Sequence, residues 1–361
     1  MESTRPTPTS HRRRVAALTT LAVVVGVGMS VVLSGAPRVG SWRSTEGRAA
    51  YLAAYTEAMR ALPRPDVVRD VPTSYGTVRA YRWASTADAP AGAAATAPAP
   101  GATGAPATDP AALTIHHAAT VPVLLLPGVR SGTPMWGEQV SELRRHRDVY
   151  AVDAVGDAGL STQAVPLTAP EHQAAWIEEV LTALSLREVH VVGHSFGGAL
   201  AATYARLHPE RVASLVLLEP AFTFAYPPPA VFAWATLAIL PGVPASWRDH
   251  ALARIGGVDV ADVRADDPLG RMIAVAAEQY DGHAPTPTPL DDTALRELGM
   301  PVYVALAERD SLAGGRRAAD RAGAMPRAVV ETWPNTTHSL PMQAGPALTE
   351  RLDAWWGDLE R

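Results

Sequence analysis

Residues 189–201 read VHVVGHSFGGALA, a run of β-branched residues that changes abruptly into glycines and small residues around Ser195. The run predicts a buried strand, and the small residues after it predict a helix that lies close to the sheet. A serine at this junction projects from the sheet only if the chain turns very sharply, where a Cβ on Gly193 or Gly197 would collide with its neighbours. The N-terminus of the helix then points at the serine, so the free N–H of Phe196 can receive a developing oxyanion. The stretch therefore predicts a nucleophilic serine.

Strands and helices alternate on both sides of this turn. Short apolar runs, typical of strands buried on both faces, are separated by helical patterns of about 10 to 15 residues. The runs are VPVLLLPG, DVYAVDAVG, VHVVGHS, VASLVLLEP and PVYVALAERD. This alternation indicates βαβ units and a fold of the α/β class, with a mostly parallel sheet and flanking helices. Between residues 221 and 290 the alternation breaks, and the pattern is helical and irregular.

The composition excludes several kinds of chemistry. The 361 residues include no cysteine, and all 31 basic residues are arginine. Disulfides, thiol nucleophiles and cysteine zinc sites are therefore excluded, as are Schiff-base catalysis and a P-loop lysine. The net charge of −5, with no long basic run in the body, argues against nucleic acid as a partner. No cofactor and no metal is implied.

The N-terminal region predicts a membrane segment. The sequence HRRR at residues 11–14 precedes residues 15–33, which carry no charge. A membrane-spanning helix needs roughly 20 apolar residues, and arginines before it keep the N-terminus in the cytoplasm. We expect a single-pass anchor in the cell membrane, with the catalytic domain outside the cytoplasm. The alternative is secretion after cleavage near Ala36, but the run is longer than the ~7–15 residues usual for a signal peptide.

The same reasoning divides the chain into five parts. Residues 1–36 form the cytoplasmic tail and the anchor or signal segment, and residues 37–66 form an N-terminal helix and linker. The predicted core is split into residues 67–220 and 291–361, with a helical cap at 221–290. Residues 86–112 are an insertion rich in Ala, Pro and Gly, which we expect to be disordered because it has too little apolar bulk to offset its ordering entropy.

Several motifs together resemble the α/β-hydrolase superfamily, specifically its serine-nucleophile, esterase-like branch with a cap domain. They are GHSFGG, LLLPG, DAVGDAGLS, AERDSL and THSLP, and the resemblance covers residues 67–361. It implies a catalytic triad in the chain order serine, acid, histidine, which gives Ser195, Asp310 and His338. It also implies that the backbone N–H of Val129 is the second oxyanion donor, beside that of Phe196. Many relatives have a histidine before the glycine of this loop, where this chain has Pro127.

The acid of the triad has two candidates. Asp310 lies in a loop beyond one predicted strand, where its side chain can turn toward His338. Glu219 ends an earlier strand whose carboxyl end lies at the same edge of the sheet. The sequence favours Asp310, because Pro220 biases Glu219 toward an extended backbone.

The expected activity is cleavage of a carboxylic ester through an acyl-serine intermediate, on a small apolar substrate. Aromatic residues early in the cap, among them Phe222, Phe224 and Phe232, either line an apolar acyl or alcohol pocket or hold the cap to the body. A lactonase, an amidase or peptidase, and an acyltransferase are alternatives on the same fold. A binding protein or receptor without turnover is the alternative of another class. The sequence makes no prediction of oligomeric state.

Overall fold

The structure, a computed structural model, describes residues 38–87, 120–264 and 267–361. The uncharged run at 15–33, and with it the predicted anchor, lies outside these residues, as does most of the insertion at 86–112. Within the described ranges, no helix combines the length and the apolar character that crossing a bilayer requires.

The strands are short and mostly buried. In chain order they are β1 (Ser41–Trp42), β2 (Val67–Thr73), β3 (Gly76–Trp83), β4 (Val123–Leu126), β5 (Val149–Val152), β6 (Thr162–Gln163), β7 (Val189–His194), β8 (Val212–Leu218), β9 (Tyr280–Asp281), β10 (Val302–Ala307) and β11 (Ala328–Trp333).

The helices follow most of these strands. In chain order they are α1 (Thr45–Ala58), α2 (Gly137–Leu143), α3 (Pro170–Ala183), α4 (Phe196–Leu207), α5 (Pro229–Ile239), α6 (Ala245–Gly256), α7 (Val260–Arg264), α8 (Pro268–Gln279), α9 (Asp292–Glu297), α10 (Gly315–Ala322) and α11 (Leu340–Leu359).

One mixed sheet forms the centre of the molecule. Its strand order is β11-β10-β8-β7-β4-β5-β3-β2, and β6 pairs with β3. The neighbours from β11 to β5 are parallel, while β3 and β2 run antiparallel to theirs. This is the α/β-hydrolase fold, with a mostly parallel sheet as the alternation predicted.

The sheet is buried on both faces, which explains why its central strands read as continuous apolar runs. Adjacent residues of β4 contribute to different clusters: Leu124 packs on the side of Trp176 from α3, and Leu125 packs on the side of Trp356 from α11. Because the central strands are parallel, their carboxyl ends share one edge of the sheet. The segments that follow β7, β8, β10 and β11 therefore meet there, as an active site in an open α/β sheet requires.

The cap is helical and lies between β8 and β10 in the chain. The N-terminal segment joins it, because β1 pairs with β9 in antiparallel register and α1 packs against α8. Tyr51 and Tyr55 of α1 are buried with Met272 of α8 in this contact. The sequence predicted a helix here but not its packing against the cap.

Candidate active site

The turn between β7 and α4 has the sharp geometry that the sequence predicts. Ser195 has φ 54° and ψ −120°, a strained conformation for a residue with a side chain. A Cβ on Gly193 would collide with the backbone of Gly197, and a Cβ on Gly197 would collide with the carbonyl oxygens of Leu126 and Pro127. The predicted need for both glycines is thus confirmed, and the turn projects Ser195 from the sheet edge.

Three side chains meet at this edge. His338 Nε2 lies 2.9 Å from Ser195 Oγ, and His338 Nδ1 lies 3.4 Å from Glu219 Oε2. Ser195 and His338 are each 7% exposed, whereas Glu219 is fully buried. The serine hydroxyl therefore has a histidine base within hydrogen-bond reach, and a carboxylate lies on the far side of the imidazole.

Glu219 is held by donors from the segment that ends β10 and follows it. Its Oε1 accepts hydrogen bonds from the N–H of Ala307 (2.7 Å) and the hydroxyl of Ser311 (2.8 Å). Its Oε2 accepts from the N–H groups of Leu312 (3.0 Å) and Ala313 (3.4 Å). These bonds compensate the burial of the carboxylate and fix its direction.

Asp310, which the sequence favoured as the acid, is not brought to His338. Its side chain is exposed and lines an open pocket of about 370 Å³ with Arg254 and Arg309. Within the described residues, it makes no hydrogen bond to His338. The physical reason lies in the loop after β10. Its backbone N–H groups at Leu312 and Ala313 donate to Glu219, and Glu219 in turn contacts His338, while the side chain of Asp310 is exposed. The geometry corrects the preference for Asp310 in favour of Glu219, which has φ 45° and not the extended backbone expected before Pro220.

His194 forms a hydrogen bond to the backbone of the loop that carries His338. It is buried, and its Nε2–H donates to the backbone carbonyl of His338 at 2.9 Å. Burial, together with the neighbouring His338, lowers the pKa of His194 to about 3. His194 is therefore neutral near pH 7, and it positions His338 without adding a positive charge beside it.

Two backbone N–H groups, one next to Ser195 and one in the loop that faces it, lack an acceptor among the described residues, and they are the candidates to receive an oxyanion. Phe196 is the first residue of α4, so its N–H has no partner inside the helix. The loop after β4 approaches from the other side, where a Cβ on Gly128 would lie 3.3 Å from the Cβ of Ser195. Val129 comes next, and within the described ranges its N–H has no hydrogen-bond acceptor. Pro127 has no N–H, and the N–H of Gly128 is directed to Met135 Sδ at 3.4 Å, so neither residue supplies a free donor in this loop.

Two aspartates after β5, the buried Asp153 and the half-buried Asp157, hold this loop at both ends. Asp157 accepts from the N–H of Arg130 at 2.6 Å. Asp153 accepts from both the N–H and the hydroxyl of Thr133, at 2.9 and 2.8 Å. Burial raises the pKa of both carboxyls, against the hydrogen bonds that they accept. Both residues belong to the motif DAVGDAGLS, for which no role was predicted, although two acids four apart after a buried strand are a usable signal.

The cap aromatics, predicted either to hold the cap to the body or to line a substrate pocket, differ in their surroundings. Phe224 is fully buried in the core and ties the cap to the body. Phe222 is half-buried and packs edge-on against Phe232 and Tyr226, with ring centroids 6.0 and 6.3 Å apart. Phe222 lies three residues after Glu219, so this second group directly follows the candidate triad acid in the sequence. Its use as a substrate pocket stays a prediction.

A family model described as "alpha/beta hydrolase fold" matches residues 121–254. Among curated proteins, the carboxylesterase YbfK of Bacillus subtilis is 26% identical over 238 residues, which cover 64% of this chain and 78% of that protein. The pig protein named 1-acylglycerol-3-phosphate O-acyltransferase ABHD5 is 35% identical over 103 residues, or 28% of this chain. This chain spans only 30% of the length of that pig protein, and 24% of a related Caenorhabditis elegans protein.

Solved structures match over more of the chain. The crystal structure of the Bacillus subtilis carboxylesterase CesB (YbfK) superimposes with a TM-score of 0.70 at 21% identity, covering 86% of this chain and 98% of that one. Naproxen esterase of the same organism gives a TM-score of 0.71 at 20% identity, covering 87% and 99%. Such identities establish the fold. The sheet order, the turn at Ser195 and the family-model match over residues 121–254 agree with this α/β-hydrolase fold.

Proposed function

We propose that the protein is a serine hydrolase that cleaves carboxylic esters through an acyl-serine intermediate. The observation that carries the proposal is the 2.9 Å contact between Ser195 Oγ and His338 Nε2. A serine hydroxyl is a weak nucleophile unless a base takes its proton, and histidine does so near neutral pH. The carboxylesterase relatives support the choice of an ester over other acyl bonds.

In the first half of the reaction, Ser195 Oγ attacks the carbonyl carbon of the ester while His338 Nε2 takes the hydroxyl proton. The carbonyl oxygen becomes an oxyanion, which the N–H groups of Phe196 and Val129 stabilise. The imidazolium then gives its proton to the leaving oxygen. The alcohol departs, and the acyl group stays on Ser195.

In the second half, water replaces the alcohol. His338 Nε2 takes a proton from the water as its oxygen attacks the acyl carbon, and the same N–H groups stabilise the second oxyanion. The proton then returns to Ser195 Oγ, and the carboxylic acid leaves. Glu219 accepts the Nδ1–H of His338 throughout, which keeps Nε2 free as the base and stabilises the imidazolium.

The substrate class is a small apolar ester. The half-buried rings of Phe222 and Phe232 offer apolar surface along the chain from Glu219, where an acyl or alcohol group could pack. Acyl transfer is the second candidate, because one set of relatives carries an acyltransferase name. In that case an alcohol takes the place of water in the second half.

We also propose that the uncharged run at 15–33 anchors the protein in the cell membrane, with the catalytic domain outside. The arginines at 12–14 support this orientation. N-terminal sequencing of the membrane and culture fractions tests it. Intact N-termini in the membrane fraction support the anchor, whereas material in the medium that starts near Pro37 supports secretion.

The activity is tested with p-nitrophenyl esters of rising acyl length, with and without added alcohol acceptors. We expect hydrolysis that depends on His338, with a burst of p-nitrophenol equal to the enzyme concentration where deacylation is slow. Folded protein with no turnover of any ester would contradict the proposal. Product that appears mainly as a new ester in the presence of an alcohol would favour the acyltransferase.

A further inference from the structure

The outer side of the cap is strongly apolar. Residues 220–247 include no charged side chain, and Thr236 is the only polar residue of α5 apart from its tryptophan N–H. Three large side chains of this stretch are exposed: Tyr226 at 59%, Leu240 at 50% and Trp247 at 62%. Single exposed apolar residues are normal on a soluble protein, but a charge-free stretch with several of them marks an interaction surface.

The exposed residues of this stretch lie before, within and just after α5 and at the start of α6. Ala230 and Ala233, three positions apart in α5, are both exposed, so one face of this helix points outward. Leu240 follows the end of α5, and Trp247 lies in the first turn of α6. We call Tyr226, Ala230, Ala233, Leu240, Pro241 and Trp247 the outer cap face.

The N-terminal segment reaches this face directly. Ser41 and Trp42 pair with β9, and Arg43 Nη2 donates to the carbonyl oxygen of Ile239, the last residue of α5, at 3.3 Å. The uncharged run ends at Leu33, ten residues before Arg43. Ten residues span at most about 35 Å when fully extended. A membrane segment at 15–33 would therefore keep the outer cap face close to the bilayer.

We propose that the outer cap face docks on the lipid bilayer, so that ester substrates reach Ser195 from the membrane. This inference rests on the anchor given under Proposed function. Tethering makes the contact intramolecular, so a modest apolar face suffices to hold it. Tryptophan and tyrosine side chains favour the membrane interface, and the exposed Arg38 and Arg43 on the tether suit anionic headgroups.

The absence of cysteine permits a direct test on the full chain. Leu240→Cys, labelled with an environment-sensitive fluorophore, reports the polarity around the outer cap face. Glu188→Cys is the matched control, since Glu188 is exposed just before β7, at the opposite edge of the sheet from Ser195. Each labelled protein is placed on vesicles of equal parts phosphatidylcholine and phosphatidylglycerol, with and without brominated acyl chains.

We expect the label at position 240 to shift to the blue on vesicles and to be quenched by the brominated lipid, while the label at 188 does neither. A label at 240 that stays in water on vesicle-bound protein overturns the proposal. So does a label at 240 that shifts to the blue on vesicles without being quenched by the brominated lipid, because a second copy or another segment of the chain then covers the face. Protein that fails to float with the vesicles overturns it as well.

A second measurement uses activity. The double variant Leu240→Asp/Trp247→Asp should lower turnover of a long-chain ester embedded in vesicles by roughly tenfold or more, because it removes two apolar contacts with the bilayer. Turnover of a water-soluble short-chain ester should stay unchanged. Val68→Asp is the matched control, an exposed apolar residue on β2. If the double variant loses turnover equally on both substrates, docking is contradicted. If the wild-type protein turns over neither substrate, the proposed function is contradicted, and the fluorescence result alone decides docking.

Discussion

Two Ser–His–Glu groups lie at opposite edges of the same sheet. At the carboxyl edge, His338 lies between Ser195 (2.9 Å) and Glu219 (3.4 Å). At the amino edge, His190 lies between Ser214 (2.8 Å) and Glu360 (3.0 Å). The side-chain chemistry is the same, so the difference between an active site and a structural network must come from what surrounds it.

The serine and the histidine of the amino-edge group are buried within strands of the sheet. Ser214 is fully buried within β8, and its Oγ accepts the indole N–H of Trp356 at 2.9 Å. His190 stacks on the same indole, over which the guanidinium of Arg147 also lies, 4.9 Å from the ring centroid. No substrate can reach this serine. The hydrogen bonds of this group instead join the end of α11 to β7 and β8 of the sheet.

The carboxyl-edge group differs in its backbone. Ser195 and Glu219 both have positive φ, at 54° and 45°, and both lie where a strand ends. The N–H groups of Phe196 and Val129 have no hydrogen-bond acceptor among the described residues, whereas those near Ser214 belong to a paired strand. A strained turn with free N–H groups, and not the three side chains alone, therefore distinguishes the candidate site at the carboxyl edge, since such groups can stabilise a developing negative charge.

The largest expected effect separates the two serines. Ser195→Ala should lower kcat by about 10⁴- to 10⁶-fold, because only the oxyanion donors and substrate binding remain. Ser214→Ala, the matched control, should keep the rate per folded molecule and lose stability. Ester kinetics and denaturant melts on both variants check this. A folded Ser195→Ala variant with near-normal rates would contradict the assignment of Ser195 as the nucleophile.

The next effect separates the two acids. Glu219→Gln should lower kcat by up to ~10⁴-fold with little change in KM, because Nδ1 of His338 loses the acceptor that orients it and stabilises its charged form. Asp310→Asn should change kcat little, since Asp310 is exposed and away from the imidazole. Circular dichroism first establishes that both variants are folded. A collapse in the aspartate variant with retained activity in the glutamate variant would restore Asp310 as the acid.

A smaller effect concerns the oxyanion loop. Gly128→Ala should lower kcat by about tenfold to a hundredfold, because the new Cβ would lie 2.9 Å from His194 Nδ1 and 3.3 Å from Ser195 Cβ. Gly137→Ala is the control, since its Cβ meets nothing closer than 3.6 Å. Similar kcat values for the two variants would argue against the loop as a donor to the oxyanion.

The smallest effect concerns stability at the amino edge. Burial opposes ionisation of Glu360, but hydrogen bonds from His190 and Arg147 outweigh it and lower the pKa of Glu360 to about 2, from the usual 4.5. The ionised carboxylate therefore stabilises the fold above about pH 4.5, and this contribution disappears as the pH falls toward 2. Glu360→Gln should cost about 1 kcal/mol at neutral pH and less near pH 3. A cost that does not shrink in acid would contradict the pairing.

Much of this architecture was predictable from the sequence, since the elements depend on local patterns. The continuous apolar runs correspond to β4, β5, β7, β8 and β10. The N-terminal helix predicted within residues 37–66 is α1, which is followed by a short 3₁₀ turn. Ser195 and His338 meet as expected because both follow strands that end at one edge.

The remaining features depend on long-range contacts. Glu219 was disfavoured because of Pro220, but its four hydrogen bonds come from residues 307–313, and they hold it at a φ that local preference opposes. The pairing of β1 with β9 joins residues more than 200 positions apart, so no local pattern could reveal it. Its consequence is that the N-terminal segment forms part of the cap.

The most direct test of the central claim is covalent labelling of the folded wild-type protein with a fluorophosphonate, followed by mass spectrometry. Trypsin cleaves after arginine, so Ser195 falls in residues 188–206 and Ser214 in residues 212–248. We expect one adduct per chain, on Ser195, and none on Ser214. The adduct should disappear in Ser195→Ala. An adduct on any other residue, or no adduct on folded protein, would contradict the assignment of Ser195 as the nucleophile.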